Sequence, residues 1–363
     1  MKKILAFDSL RFIACMIIVV YHAGINIYGY DTPMCFKSAG LAVEVFFVLS
    51  GFLLANSYYK SLNNGMSAPE NCKNYFLTRI KRLYPEYIFA LLLCLLLIPL
   101  FVRGINTQTF LLNVLMMGGW GGVPNIMDGI WYVVVLFWGG CLCFNLLSLY
   151  KDKATFFIFP TISCICLFYL INNGYTLTGH QMPIEFGLLS RGTIRGLLGI
   201  TVGIYCFQLC QYIKNLKIEF KQNLLSFSLF VLEIISVVLL IKLILFRNGQ
   251  DLADYNIYFY TSYILGLLYF GKEKLLKFLS WKIWLPFVKL SYTIYLTHLI
   301  LLPILRVKWP DLTTMSMYKM YTIIVILCVG FGAICYYIQK NCLIKLKGIF
   351  LVPIKNKGEK NAG

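Results

Sequence analysis

Ten stretches of about 20 mostly apolar residues recur along the chain, at 4–24, 40–59, 84–103, 129–149, 154–172, 192–213, 223–246, 254–271, 287–306 and 319–341. A helix needs about that many apolar residues to cross the hydrocarbon core of a bilayer. The remaining residues cannot clothe a water-exposed surface: 59% of the chain is apolar and 13% charged, against about 25% charged in a soluble domain. Disorder is excluded too, because 16% of the residues are aromatic. The expected fold is an all-α integral membrane protein of about ten transmembrane helices. A further segment, 108–118, is apolar but short, and suits a re-entrant or interfacial piece.

The formal charge of +18 raises the question of a polyanionic partner. The placement of the basic residues answers it. With the N-terminus inside, 22 of the 33 lysines and arginines fall on inner segments and six on outer ones. The excess alternates loop by loop, as the positive-inside rule requires. Both termini are therefore expected in the cytoplasm. The chain divides into a membrane domain, 1–342, and a basic tail, 343–363, suited to anionic headgroups; a nucleic-acid partner is not expected. The first apolar stretch lacks a small-residue cleavage site and reads as a signal anchor. No polar stretch is long enough for an additional soluble domain. Of 13 cysteines only Cys35 lies in an outer loop, so no external disulfide is expected and the rest read as small apolar filler.

Ionisable groups within spans are costly and mark function by default. In the first span Arg11 and His22 are eleven residues apart. That is about 20° from three full helical turns and about 16 Å along the axis, so both lie on one face. Asp8, three residues before Arg11, shares it. Glu44 lies about one turn into the second span from the outer side. It is a candidate partner for His22, since a buried carboxylate needs one and would make the imidazole a general base. The bland alternative for His22 is an interfacial residue bonded to a neighbour. Ser50-Gly51 suits either close helix approach or chemistry.

Before the third span stand Arg79, Lys81 and Arg82, with Pro85 expected at the first turn of the next helix. They read as a positive-inside cluster or as a phosphate clamp at the cytoplasmic mouth. Trp131 and Tyr132 open the fourth span, as interfacial belt aromatics or as lining of a cavity. His298 lies well inside the ninth span, either as a helix-to-helix hydrogen bond or as part of that cavity. Arg191 and Arg195, with Glu185, are placed to line its outer side. Gly192, Gly196, Gly199 and Gly203 make a small-residue face for close packing. Glu233 and Lys242 lie on opposite faces of the seventh span and do not pair.

Arg11-x10-His22, FFVLSGF at 46–52, R-x-x-R-x-Y-P at 79–85 and LSYTIYLTH at 290–298 follow in order over ten spans. In this the chain resembles acyltransferase family 3, membrane proteins that O-acylate carbohydrates, over essentially its whole length. The resemblance implies an acetyl-CoA (or other acyl-CoA) donor on the cytoplasmic side and no metal. It implies a carbohydrate acceptor, a surface polysaccharide or lipid-linked glycan, and residence in the plasma (inner) membrane. His22 matches the proposed catalytic residue, with Glu44 as its expected orienting group. Arg79 and Arg82 match the donor-linked arginine pair, with Arg11 and Lys81 beside them. Ser50, Trp131, Tyr132, Arg191, Arg195 and His298 are expected on the cavity and acceptor side. The competing class is a multi-span transporter or flippase of a glycan or lipid-linked substrate, against which stands the lack of paired broken helices in matching positions.

Overall fold

The computed structural model describes residues 5–29, 36, 38–62, 65–97, 106–127, 129–172, 174, 177, 189–216, 222–247 and 251–350. Glu185, Cys35 and the tail beyond 350 lie outside them. Eleven α-helices follow in order among the described residues: α1 (Leu5–Tyr28), α2 (Ala42–Leu62), α3 (Ala68–Leu97), α4 (Thr107–Val114), α5 (Ile130–Tyr150), α6 (Phe159–Asn172), α7 (Arg191–Asn215), α8 (Gln222–Ile241), α9 (Asn256–Phe270), α10 (Leu285–Lys308) and α11 (Met317–Phe350).

Among the described residues, eight helical segments are long and apolar enough to cross a membrane. The other two expected spans correspond to α3 and α9. α9 has 15 residues, about 22 Å against a hydrocarbon core of about 30 Å, and ends at Gly271, whose φ of +62 suits glycine. α3 corrects the expectation about Pro85. Ala68–Leu97 is one helix of 30 residues with Pro85 in its interior. Arg79, Lys81 and Arg82 therefore project from a helix and not from a loop. The proline removes one backbone donor, and the chain passes it without ending the helix. The short 108–118 segment becomes α4 and a run of turns. Buried Asn113 ties this run together: its amide donates to the Thr109 and Pro124 carbonyls and its Oδ1 accepts from the Ile126 N–H.

α2 lies at the centre, packed against α1, α5, α7 and α9. Its sequence AVEVFFVLSGFLLAN is apolar all round, as a helix without an outer face must be. α6 with the helical turn Ala154–Ile158 before it, α8 and α11 are peripheral and turn Phe156, Phe157, Phe168, Phe227 and Ile326 outward, where lipid tails would solvate them. The tightest contact is between α2 and α7. A Cβ on Gly51 would stand 1.9 Å from the Ile200 carbonyl oxygen, and one on Gly203 would stand 2.0 Å from that of Val48. Gly196 and Gly199 face Phe47 in the same way. The expected small-residue face is thus the seam along which two backbones touch. Lipid supplies little hydrophobic drive between helices, so such contact is what holds them together.

Glu233 has a structural role that its sequence position did not disclose. It is fully buried in α8, and its carboxylate accepts the backbone N–H groups of Lys274, Leu275 and Leu276 at 2.9–3.2 Å. It thereby caps the short 3-10 turn Leu275–Ser280, which packs against α1.

Candidate active site

α1 runs unbroken from Leu5 to Tyr28, so Arg11 and His22 share a face about 16 Å apart, as the spacing requires. Asp8 anchors the lower end: Arg11 Nη1 donates to its Oδ1 at 3.1 Å. α3 brings more charge to the same place. Arg82 lies within electrostatic reach of Arg11, Arg79, Asp8 and Tyr132, while its own side chain remains exposed. Arg79 stands with its guanidinium 4.8 Å from the Tyr75 ring centroid. Glu86, which sequence reasoning missed, closes the group. It follows Arg82 by four residues and so shares its face; its Oε2 accepts from Thr293 Oγ1 of α10 at 2.8 Å. Lys81 is exposed and about 100° around the helix from Arg82, so it does not join these three arginines. Three guanidiniums close to two carboxylates leave a net positive cluster, suited to a multiply charged anion.

Tyr132 leads inward from that cluster. Its hydroxyl hydrogen-bonds with Ser50, and it feels the charges of Arg11 and Arg79. Its ring lies 5.1 Å from that of Tyr295, and Tyr295 lies 5.7 Å from His298. Both Trp131 and Tyr132 are buried, which overturns the belt reading. They also have different partners. Trp131 lies 5.3 Å from the Arg195 guanidinium, whereas Tyr132, bonded to Ser50, links the arginine cluster through Tyr295 to His298.

Across the helices His22 meets His298. His22 Nδ1 and His298 Nε2 are 2.9 Å apart. The rings are inclined by only 20°, with centroids 5.2 Å apart. The nitrogens are thus closer than the centroids, so the rings meet edge to edge and are not stacked face on. His298 is fully buried, and its Nδ1 lies 3.1 Å from the Ile294 carbonyl oxygen one turn earlier in α10.

The expected His22–Glu44 contact is not made. Glu44 Oε1 accepts from Arg195 Nε at 2.8 Å and Nη2 at 2.5 Å, and Oε2 accepts from Tyr258 at 2.8 Å. Glu44 is 0% exposed and Arg195 3%. The glycine seam explains the exchange: it draws α7 onto α2 so closely that a guanidinium reaches the carboxylate. A buried carboxylate is better satisfied by that full charge than by a neutral ring. Arg195 is therefore tied into the bundle's frame. Arg191 remains part-exposed, within electrostatic reach of Tyr255. Tyr258 and Tyr295 were also missed. Nothing in the sequence pairs Tyr258 with Glu44, but Tyr295 is three residues before His298, a spacing that places both on one helix face.

An acyltransferase domain profile matches residues 4–339. The chain is also 39% identical over 108 residues to "Protein 2 in picA locus" of Rhizobium radiobacter; the match covers 29% of this chain and 52% of the relative. The chain thus spans about half the length of the curated relative it matches. With the profile covering nearly every span, the chain belongs to acyltransferase family 3, and its membrane-length apolar helices make it an integral membrane protein.

Proposed function

We propose that the protein moves an acetyl or other short acyl group from cytoplasmic acyl-CoA to a hydroxyl of a cell-surface polysaccharide or lipid-linked glycan, in the plasma (inner) membrane. The observation that carries this is the layout of α1. One helix bears Arg11 in a three-arginine cluster and His22 about 16 Å further along, with Tyr132 and Tyr295 between. The cluster suits the phosphates of the donor, which arginine forks hold well. The pantetheine arm is thin and long enough to run from there past Tyr132. In this reading Arg11, Arg79 and Arg82 hold the donor, and Lys81 adds only a general positive field at the mouth.

His22 is the general base. Its imidazole takes the proton of the acceptor hydroxyl while that oxygen forms a bond to the thioester carbonyl carbon. As the carbon–sulfur bond breaks, the same proton passes from His22 to the departing thiolate. Glu44 has no part in the chemistry; with Arg195 and Tyr258 it holds α2, α7 and α9 in register. In this reading the chain crosses ten times with both termini in the cytoplasm, which puts the arginine cluster on the donor side and His22 toward the acceptor. The experiment is to compare ester-linked acetate released by mild base from surface glycans of cells with and without the gene. Ester that appears only with the protein supports the reading, and identical glycans would contradict it.

A further inference from the structure

We infer that His298 is a positioning residue that holds His22 as its Nδ1–H tautomer and so makes Nε2 the reacting nitrogen. The inference rests on the reading of His22 as general base. It follows from which atoms are able to donate. A carbonyl oxygen only accepts, so the 3.1 Å contact between His298 Nδ1 and the Ile294 oxygen puts the proton on Nδ1. His298 is fully buried, and its hydrogen-bond partners are the Ile294 and Tyr295 backbone carbonyls and the other imidazole. Without a carboxylate beside it, the neutral ring is the stable form. A neutral imidazole carries one proton, so His298 Nε2 is an acceptor. The nitrogen 2.9 Å away, His22 Nδ1, must then donate. His22 in its neutral form therefore has its lone pair on Nε2.

The relay runs from the Ile294 carbonyl through His298 to His22, and each link is held by packing. Tyr295 lies against His298 at 5.7 Å and is itself tied to the Gly129 carbonyl at 3.2 Å. Fixing one ring nitrogen to set the role of the other is the usual use of a histidine's second partner. Here a neutral ring does what a carboxylate does in a serine hydrolase triad. During transfer the acceptor proton arrives at and leaves from Nε2, while the Nδ1 proton stays in the bond to His298.

The test uses the full chain, with glycan ester-acetate per molecule of protein as the activity and thermal stabilisation by CoA as the donor-binding readout. His298→Ala should lower acetate incorporation about 100-fold and leave stabilisation by CoA within twofold of the parent. His298→Gln should recover at least tenfold of that loss, because the amide oxygen accepts from His22 Nδ1–H. Two results overturn the inference: His298→Ala with activity within threefold of the parent, or His298→Gln no better than His298→Ala while melting at the parental temperature. Should His298→Ala fail to fold, the glutamine variant decides alone: activity more than tenfold above that of His22→Ala supports the relay, and activity equal to it overturns it. His22→Ala separates the two levels. If it stays fully active the base reading itself fails; if it is inactive while His298→Ala is normal, only the relay fails.

Discussion

At the residue scale, two charged groups that look alike in the sequence have opposite uses. Glu44 and Arg195 are both buried ionisable residues within spans, yet each satisfies the other. Breaking a buried pair leaves an unpaired charge and costs about 3–5 kcal/mol, whereas replacing both partners by apolar groups is often neutral. Glu44→Gln should therefore lower the melting temperature in detergent clearly, and Glu44→Met with Arg195→Met should recover much of it. The Arg11–Arg79–Arg82 group behaves otherwise, since its excess positive charge has no internal use. Arg82→Ala should weaken stabilisation by CoA about tenfold or more, while Lys81→Ala, on another face of α3, should change it less than twofold, both measured by thermal shift against CoA concentration. Arg11 and His22 were legible because one helix carries both and its period fixes their relation. The partner of His22 was not legible: which residues meet across two helices depends on how closely the backbones approach, and His298 is 276 positions away.

At the element scale, the α2–α7 seam makes a signed prediction. Glycine to alanine inside a helix gains up to about 1 kcal/mol from propensity alone. At Gly203 the added carbon would meet the Val48 carbonyl at 2.0 Å, a backbone atom that cannot turn aside. Overpacking of that kind costs about 1–3 kcal/mol or more, so Gly203→Ala should lower the melting temperature. Gly330 of α11 has nothing within 4 Å of a built Cβ, and Gly330→Ala should leave the melting temperature equal or higher. Glu233 makes a second prediction. Its removal strands three backbone donors, each worth about 1–3 kcal/mol when left unsatisfied. Glu233→Ala should speed tryptic cleavage at Lys272, Lys274 and Lys277 in limited proteolysis. The small-residue face was readable as a packing surface from its spacing. The continuity of α3 through Pro85 was not, because proline usually marks a helix start and only tertiary contact shows where it is tolerated.

At the scale of the whole molecule, the apolar stretches and the alternation of lysine and arginine made the bundle and its proposed orientation readable before any contact was known. In the proposed orientation most of the +18 charge lies on the cytoplasmic side, as the positive-inside rule requires, and the arginine cluster has a second use. α3 and α9 decide the count. If both cross, the segment bearing α4 faces outward; if neither does, it faces the cytoplasm. A cysteine placed at exposed Gln108 should react with a membrane-impermeant maleimide in intact cells, above the background of the parent thiols.

The most direct measurement of the mechanism separates donor binding from transfer along α1. Parent, His22→Ala and Arg82→Ala proteins would be purified and compared for thermal stabilisation by CoA, and expressed in cells for glycan ester-acetate. The mechanism predicts that His22→Ala keeps CoA stabilisation and loses the acetate, while Arg82→Ala loses CoA stabilisation. Full acetate incorporation by His22→Ala would contradict it.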